Sequence, residues 1–381
     1  MYIFFYITLL LLFAYGFLIK YYKRAWEEIP YFKLPGADNW KTICKVTVII
    51  PARNEEKNIA PCLQSLRHQT YPREYLEIIV VNDHSTDNTE SIVKNYAEGN
   101  IKLINLRDHV SEKQGYAYKK KAIEIAIGAS TGELIVTTDA DCVAKPDWIK
   151  CLAAFHTNKE ASCIAAPVRI IDRSTLLSVF ESLDFISLQG ITGASIHRKI
   201  HSMANGANLA YEKNAFYAVE GFKDIEKVPS GDDMLLIHKI YKKFPDRIFF
   251  LKSKNAIVST QPAANWREFF RQRIRWASKA SDYDDKRIFR VLLLVYLLNV
   301  SIFIFLAGSL WNPYWLFLFF ILVTGKTILE FSFVKSVSRF FNQRHLMKYF
   351  FFLQPLHIIY TVITGWLGKF GSYQWKDRKV K

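Results

Sequence analysis

The chain has 381 residues, a formal net charge of +16, and a composition that is 50% hydrophobic and 15% aromatic. Its length allows one large domain or two ordinary ones. The aromatic content is high for a soluble enzyme, and five cysteines without a C-x-x-C pair argue against a disulfide framework. The charge alone fits a nucleic-acid binder. Long apolar runs at both ends give it another origin, basic residues beside anionic lipid headgroups, so no nucleic-acid partner is expected.

From Met1 to Ile19 there is no charged side chain, and Lys20-Tyr21-Tyr22-Lys23-Arg24 comes next. Such a run is long enough to span a bilayer core. A cleaved signal peptide is the alternative, but it lacks a basic leader and a small-x-small cleavage site. Residues 1–22 are therefore expected to form a transmembrane anchor. The basic flank places the central part of the chain in the cytoplasm.

From Lys45 the pattern alternates between strands and helices. Val46-Thr47-Val48-Ile49-Ile50 is a β-branched run closed by Pro51. Asn58 can cap a helix through about His68. Glu77 to Val81 is a second buried strand, and Asp87-Asn88-Thr89-Glu90 opens a second helix. Ile101 to Ile104, Tyr118 to Ala129 and Leu134 to Thr138 read as strand, helix and strand, and Pro146 opens another helix. Strands separated by helices predict an α/β domain, a mostly parallel sheet with helices on both faces. Beyond Ser162 the pattern loosens, and helices dominate from Trp266 onward.

Three strand ends carry polar loops: Pro51-Ala52-Arg53-Asn54-Glu55-Glu56, Asn82-Asp83-His84-Ser85-Thr86-Asp87 and Asp139-Ala140-Asp141. Open α/β sheets bind ligands in the crevice outside the strand ends. Two carboxylates two residues apart, Asp139 and Asp141, suit Mg²⁺ or Mn²⁺, which in turn hold phosphates. Asp87 is expected as a helix cap and His84 as a turn residue. Asp83 fits a turn or a ligand role. Ser230-Gly231-Asp232-Asp233 offers a carboxylate base or a surface turn. Arg267, Arg271, Arg273 and Arg275 stand just before an apolar run, where some would face lipid phosphates. Trp276 offers a flat apolar face, or an interfacial anchor.

Near the C-terminus, Val291 to Leu310 and Trp315 to Val334 are long apolar runs broken by Asn312-Pro313, a hairpin of two spans. Lys335, Arg339, Arg344 and Lys348 fit a cytoplasmic loop. A last run, Tyr349 to Leu367, holds Gln354, Pro355 and His357, and is expected to span, re-enter or lie in the interface. The basic tail, residues 369–381, disfavours a full crossing. Membrane helices thus occupy 288–368. No span is read as carrying the paired ionisable groups of a transport pathway.

The order P-A-R-N-E-E, N-D-H-S-T-D, T-D-A-D, G-A-N-L-A-Y, S-G-D-D, Q-R-I-R-W resembles the inverting glycosyltransferases of family 2. The resemblance covers Val46 to Ala280. Its Q-x-x-R-W motif is shared with membrane-integrated synthases of cellulose, chitin and hyaluronan and with lipid-directed relatives. It implies a nucleotide-binding GT-A fold over residues 45–280. It implies that Pro51, Ala52 and Glu55 line a nucleoside pocket and that Asp83 bonds the base. Lys119 would lie near the nucleotide, Asp139 by the ribose and diphosphate, and Asp141 on a divalent cation. Gly206, Ala207 and Asn208 would face the donor sugar, Asp233 would be the general base, and Gln272, Arg275 and Trp276 would close over the diphosphate and acceptor. Two departures stand out. Asn82-Asp83-His84-Ser85 stands where the family often has Asp-Asp-Gly-Ser, with Asn82 still able to support its neighbour, and Tyr118 replaces the glycine before Lys119.

The expected activity is metal-dependent, inverting transfer of a sugar, from a UDP-linked donor, to a lipid or lipid-linked hydroxyl at the cytoplasmic face of a bacterial inner membrane. Membrane lipids and an oligomeric partner copy are the other expected contacts. The alternatives are a processive polysaccharide synthase, for which three or four spans are few, and a non-catalytic nucleotide-sugar-binding scaffold.

Overall fold

The computed structural model describes residues 2–34, 43–110, 117–201, 203–226, 228, 231–278 and 285–371, and the backbone of 374–375 and 378–379. Ser230, Ala280 and the tail residues Lys376 and Lys381 lie outside the described residues. In chain order the elements begin with α1 (Tyr2–Glu28), β1 (Val46–Ala52), α2 (Ile59–Arg67), β2 (Leu76–Asn82), α3 (Thr89–Tyr96) and β3 (Ile101–Asn105). Next come α4 (Tyr118–Ala129), β4 (Leu134–Thr137), β5 (Cys142–Val143), α5 (Trp148–Lys159), β6 (Cys163–Ala165), β7 (Val168–Ile170) and α6 (Leu176–His197). After these stand β8 (Leu209–Glu212), α7 (Lys213–Ala218), α8 (Met234–Lys243), β9 (Ile248–Phe250), β10 (Val258–Thr260) and α9 (Trp266–Ala277). Three apolar helices close the series: α10 (Lys286–Gly308), α11 (Tyr314–Phe340) and α12 (Phe350–Phe370).

Seven strands form one sheet in the order β3-β2-β1-β4-β8-β6-β9. It is parallel except at β8, which runs antiparallel to β4 and β6. The strands are apolar throughout because both faces are covered. Val48, Ile50, Val80 and Val136 point into a core shared with α2 and α5. Ile49, Ile79, Val81 and Ile135 point into a second core that continues through α4 and α6 into α1, α10 and α11. Each such side chain contributes about 1.5–3 kcal/mol on burial. All five cysteines are free and buried, as small core residues.

The expected anchor is longer than 22 residues. Helix α1 runs on to Glu28, and its last turns are buried against the domain, with the Trp26 ring 5.8 Å from Phe250 and 5.5 Å from Phe340. Helix α6, unforeseen in the loosened pattern after Ser162, is buried nearly all round because it lies between the sheet and the apolar helices.

Among the described residues, four helices are long and apolar enough to cross a membrane: Tyr2–Glu28, Lys286–Gly308, Tyr314–Phe340 and Arg344–Phe370. The first three form a bundle. Phe4 stacks on Phe305, so α10 runs against α1, and Tyr15 meets Glu330, so α11 runs beside it. The last one packs differently. Gln354 of α12 bonds both Lys326 and Glu330 of α11, and Gly365 lies against the Tyr296 ring of α10. Gln354 and Gly365 are about 16 Å apart along the α12 axis. Tyr296 lies nine residues before Phe305, so it stands near the height of Tyr15 and Glu330. Helix α12 therefore lies across the bundle rather than along it.

That junction corrects the expectation that no span carries paired ionisable groups. Lys326 and Glu330 are buried in α11, 2.7 Å apart, and Tyr15 and Gln354 complete their hydrogen bonds. The pair is satisfied within the protein, as a buried charge pair must be. The loop after α11 returns to the sheet domain, where Gln343 donates to the Ile170 carbonyl and His345 meets Asp172 at 3.1 Å. The Lys335–Lys348 segment and the sheet domain thus share one side.

Candidate active site

The chain leaves β1 on one side for β2 and β3 and returns on the other as β4, so the sheet order reverses at the β1/β4 boundary. Crevices for ligands open at the carboxyl ends of strands at such a point. Ala52 ends β1 there and Asp139 follows β4. The Asp83 amide donates to the Ala52 carbonyl at 2.7 Å, which joins the loop after β2 to the same edge.

Where the nucleoside is expected, Pro51 and Ala52 form the end of β1, with Ala52 buried. Asn58 caps no amide; it donates to Glu55 at 2.8 Å and fixes that carboxylate at the start of α2. The N-cap of α3 is Asn88 rather than Asp87; Asp87 stands one residue before it, where it accepts from the Thr89 amide and from the Glu56 amide. Asp83 is buried beside Arg53, whose guanidinium donates to the Asp83 and His84 carbonyls.

The two departures from the family pattern touch each other. His84 holds φ at +51°, the left-handed region that suits the glycine it replaces. Its ring packs edge-on against Tyr118 with centroids 5.4 Å apart. Its ring nitrogens meet Asp83 at 3.0 Å and the Val110 carbonyl at 3.2 Å. The ring of Tyr118 and two polar contacts thus surround the residue at this left-handed turn.

Where the diphosphate is expected, Lys119 binds Asp139 at 2.8 Å and Asp232 at 3.1 Å. Burial works against its charge, but Asp139 and Asp232 outweigh it and raise its pKa. Asp233 accepts from Met234 at the start of α8 and from the Gly206 amide at 2.9 Å. A side chain at Gly206 would stand 3.2 Å from Asp232 and 3.3 Å from Lys119, so glycine lets the two loops meet. Thr138 donates to the Ala207 carbonyl at 2.9 Å. The strand end, the 206–208 turn and the acidic loop before α8 are thereby one unit.

Asn208 departs from its expected role. Its side chain is fully buried and spent within the core, accepting from Trp148 at 2.9 Å and donating to the Pro167 and Ala256 carbonyls. These three bonds hold the 206–208 turn from inside the protein.

Asp141 accepts from Thr260 at 3.2 Å. Burial, then the Asp139 and Glu55 carboxylates, push it up to about 6. Among the described residues no three His, Cys, Asp or Glu side chains form a ready cage for a metal. Mg²⁺ needs none, since it is bound through one or two carboxylates and completed by substrate phosphates and water. A carboxylate held uncomfortably close to two others is the group such a cation would relieve, so the residues fit it.

Helix α9 carries the remaining expected residues. Gln272 and Trp276 are engaged with their neighbour Arg273 rather than with the acidic unit. Arg273 donates to Gln272 at 2.6 Å and lies over the Trp276 ring at 4.2 Å. Arg275 is half-buried on the last turn. Arg273 is itself buried and bonded to Asp184 of α6 at 2.9 Å, with Glu181 3.9 Å away. Asp184 also accepts from Tyr360 of α12 at 3.1 Å. Burial would raise the Asp184 carboxyl, but Arg273 and His357 hold it below its ordinary range. Sequence reasoning missed this network. Its signal was two acids, Glu181 and Asp184, on one face of an otherwise apolar helix.

A model of the family described as Glycosyl transferase family 2 matches residues 47–217, and one of Glycosyl transferase family group 2 matches residues 134–368. Among curated relatives, "Probable glycosyltransferase YdaM" of Bacillus subtilis is 30% identical over 264 residues, 68% of this chain and 59% of that protein. The chain thus spans less than two thirds of that relative's length. A Methanococcus voltae dolichyl N-acetyl-alpha-D-glucosaminyl phosphate 3-beta-D-2,3-diacetamido-2,3-dideoxy-beta-D-glucuronosyltransferase is 25% identical over 49% of this chain and 55% of its own. The solved mannosyltransferase PcManGT of Pyrobaculum calidifontis, in complex with GDP-Man and Mn²⁺, aligns over 95% of this chain and 99% of that one, with TM-score 0.56 and 20% identity. Its likeness shows the GT-A fold. The chain belongs to glycosyl transferase family group 2.

Proposed function

We propose that the protein transfers a sugar from a nucleoside-diphosphate donor to a lipid or lipid-linked hydroxyl at the cytoplasmic face of a membrane, with inversion. The observation that carries this reading is the joining of Asp139, Lys119, Asp232, Asp233 and Gly206 at the β1/β4 crevice. A nucleotide needs the first part of that unit, and an acceptor hydroxyl needs the last.

Asp141, assisted by Asp139, would hold a divalent cation, which when bound neutralises the charge gathering on the leaving diphosphate. Lys119 adds a fixed positive charge at the same edge. Asp233 takes the acceptor proton. Each of its oxygens already receives one backbone N–H, which fixes its direction, and an ionised carboxylate has lone pairs to spare. Arg275 supplies a planar fork suited to phosphate oxygens, and Trp276 a face for the acceptor. Pro51, Ala52, Glu55 and Asp83 line the nucleoside end. UDP-sugars are the first donors to test and the GDP-sugars bound by PcManGT the second.

Single transfer to a lipid is favoured over polymer synthesis. The bundle centre is filled by Leu298, Ile302, Phe305 and Leu322, which are buried. Helix α12 lies across the bundle with Phe352, Trp366 and Phe370 exposed, as an interfacial or re-entrant helix would. The Methanococcus relative's lipid-linked acceptor supports the same choice.

The test is to incubate the detergent-purified full chain with UDP- and GDP-sugars and native lipid extract, then to look for new glycolipids by mass spectrometry. A glycolipid one sugar heavier supports the reading. Sugar polymer without such a lipid would favour the processive alternative. Donor binding without any turnover would favour the scaffold.

A further inference from the structure

Helix α9 has two faces of different character. Arg267, Arg271 and Arg275 recur every fourth residue on one. Phe269, Arg273 and Trp276 form the other, which is turned toward the protein. On that inner face a charge has been buried between aromatic rings. The Arg273 guanidinium lies 4.7 Å from the Phe269 centroid and 4.2 Å from the Trp276 centroid. Burying a lone arginine is prohibitive, so acids must come with it. Asp184 supplies a bond at 2.9 Å to the guanidinium Nε, and Glu181 stands behind it.

Asp184 does not serve α9 alone. Its second oxygen accepts from Tyr360 at 3.1 Å and lies 3.5 Å from His357, both on α12. One carboxylate thus ties the helix that carries the Q-x-x-R-W motif to the helix that lies flat across the bundle. Farther along, Gly368 of α12 sits so close to Ala277 that an added Cβ would stand 2.6 Å away. The two helices are registered at both ends. Trp276 also meets the Phe185 ring at 6.1 Å, one residue from Asp184 on α6.

We infer that Arg273 is a positioning residue, which fixes the Trp276 ring for the acceptor and, through Asp184 and Tyr360, sets that ring relative to α12. The inference rests on the proposed role of Trp276 at the acceptor. It assigns function to an arginine inside the motif whose guanidinium is engaged by Asp184, Gln272 and two aromatic rings. Displacement of a positioned group by an ångström costs roughly 10- to 100-fold in rate.

The test uses the full chain in nanodiscs with a UDP- or GDP-sugar and the native lipid extract, reading donor binding and acceptor-dependent transfer separately. R273Q should lower transfer roughly 10- to 100-fold while donor affinity stays within a few-fold. Because R273Q leaves Asp184 buried without its cation, R273Q/D184N is made alongside. The double variant removes the stranded charge, and transfer should stay low although donor binding is normal. Recovery of transfer in it would mean that only stability had been lost, and would overturn the inference.

A cycle with W276F addresses the route. If Arg273 acts through Trp276, then R273Q adds little once W276F is present. Full additivity overturns the inference while leaving the proposed function intact. If W276F alone leaves acceptor turnover unchanged, the acceptor role of Trp276 fails and the inference falls with it. Y360F should raise the acceptor KM a few-fold with donor KM unmoved. No change there would remove the link to α12.

Discussion

The proposed donor edge and the proposed acceptor side of this protein are built by different means. The donor edge is made by a sheet. Strands β1, β2 and β4 are fixed by continuous ladders, and their ends deliver Ala52, Asp83 and Asp139 to one place almost regardless of side-chain detail. The acceptor side is made by helices. α6, α9, α11 and α12 have no ladder between them, so their register rests on side-chain packing and a few buried polar contacts: Arg273 with Asp184, Asp184 with Tyr360, and Lys326 with Glu330 and Gln354. Backbone geometry holds the first region and side-chain chemistry holds the second. Substitutions should therefore act on chemistry at the donor edge and on alignment or stability among the helices.

The largest effect expected is at the donor edge. Chelation with saturating EDTA should take nucleotide release below detection, since the cation supplies several kcal/mol of stabilisation to the leaving diphosphate. Asp141→Asn should also weaken Mn²⁺ binding, measured directly by titration in the presence of nucleoside diphosphate. Undiminished transfer in EDTA would show that Lys119 alone serves the leaving group.

Next, Asp233→Asn should cut transfer by about 10²–10⁴ with donor affinity nearly unchanged, because asparagine keeps the shape but cannot take the proton. Asp232→Asn acts differently. It removes one of the two partners of Lys119, so its main effect should be on donor KM. The pair of variants separates base from positioning, and equal loss of transfer with normal donor binding in both would leave the base unassigned.

The contrast between the regions also explains what could be read in advance. Helix α4 was legible to the residue, and strands β1, β2 and β4 nearly so, because period and turn chemistry are local. The acid cluster was legible as three strand ends, since sheet topology alone brings them together. Asn208 misled because a polar residue in a motif looks the same whether it faces a ligand or satisfies Trp148. Arg273 and Asp184 were illegible because their partnership joins α6 to α9 across 89 residues of sequence. Lys326 and Glu330 lay in plain view at i,i+4, but hydropathy averaged over a span conceals a single buried pair.

On the helical side, breaking that pair should cost stability rather than chemistry. Glu330→Gln leaves Lys326 buried without its counter-charge and should destabilise by about 3–5 kcal/mol. Lys326→Met with Glu330→Leu together should cost far less, since a packed apolar replacement avoids the desolvation. Thermal unfolding in one detergent compares them. Equal losses in both would mean that the hydrogen bonds of Gln354 and Tyr15, rather than the stranded charge, dominate.

A smaller effect returns to the donor edge. Asp141 is pushed up to about 6 by burial and by the Asp139 and Glu55 carboxylates. In the metal-free protein it therefore binds a proton more readily than in the unfolded chain. That contribution favours folding at low pH and is lost as pH rises toward 6. Cation binding has the opposite sign, because the ligand must be ionised. Apparent Mn²⁺ affinity should be flat above pH 7 and fall about tenfold per unit below 6. A flat profile down to pH 5 would show that Asp141 is not the ligand.

The smallest effect concerns the two residues that replace glycines. His84 sits at φ +51°, which costs a non-glycine residue about 1–2 kcal/mol. Its edge-on contact with Tyr118 returns about 0.5–1.5 kcal/mol. His84→Gly relieves the strain and loses the contact, so the two changes should nearly cancel and leave stability within about 1 kcal/mol. Tyr118→Gly loses the contact, a buried ring and a helical position without relieving the turn, and should be plainly destabilising. The double variant decides whether the residues are coupled. If the ring contact is what stabilises the turn, His84→Gly should cost less beside Tyr118→Gly than alone, or become favourable. Purely additive losses in chemical unfolding would mean that Asp83 and the Val110 carbonyl hold His84 without help. The turn would then depend on backbone and polar contacts, as the rest of the donor edge does.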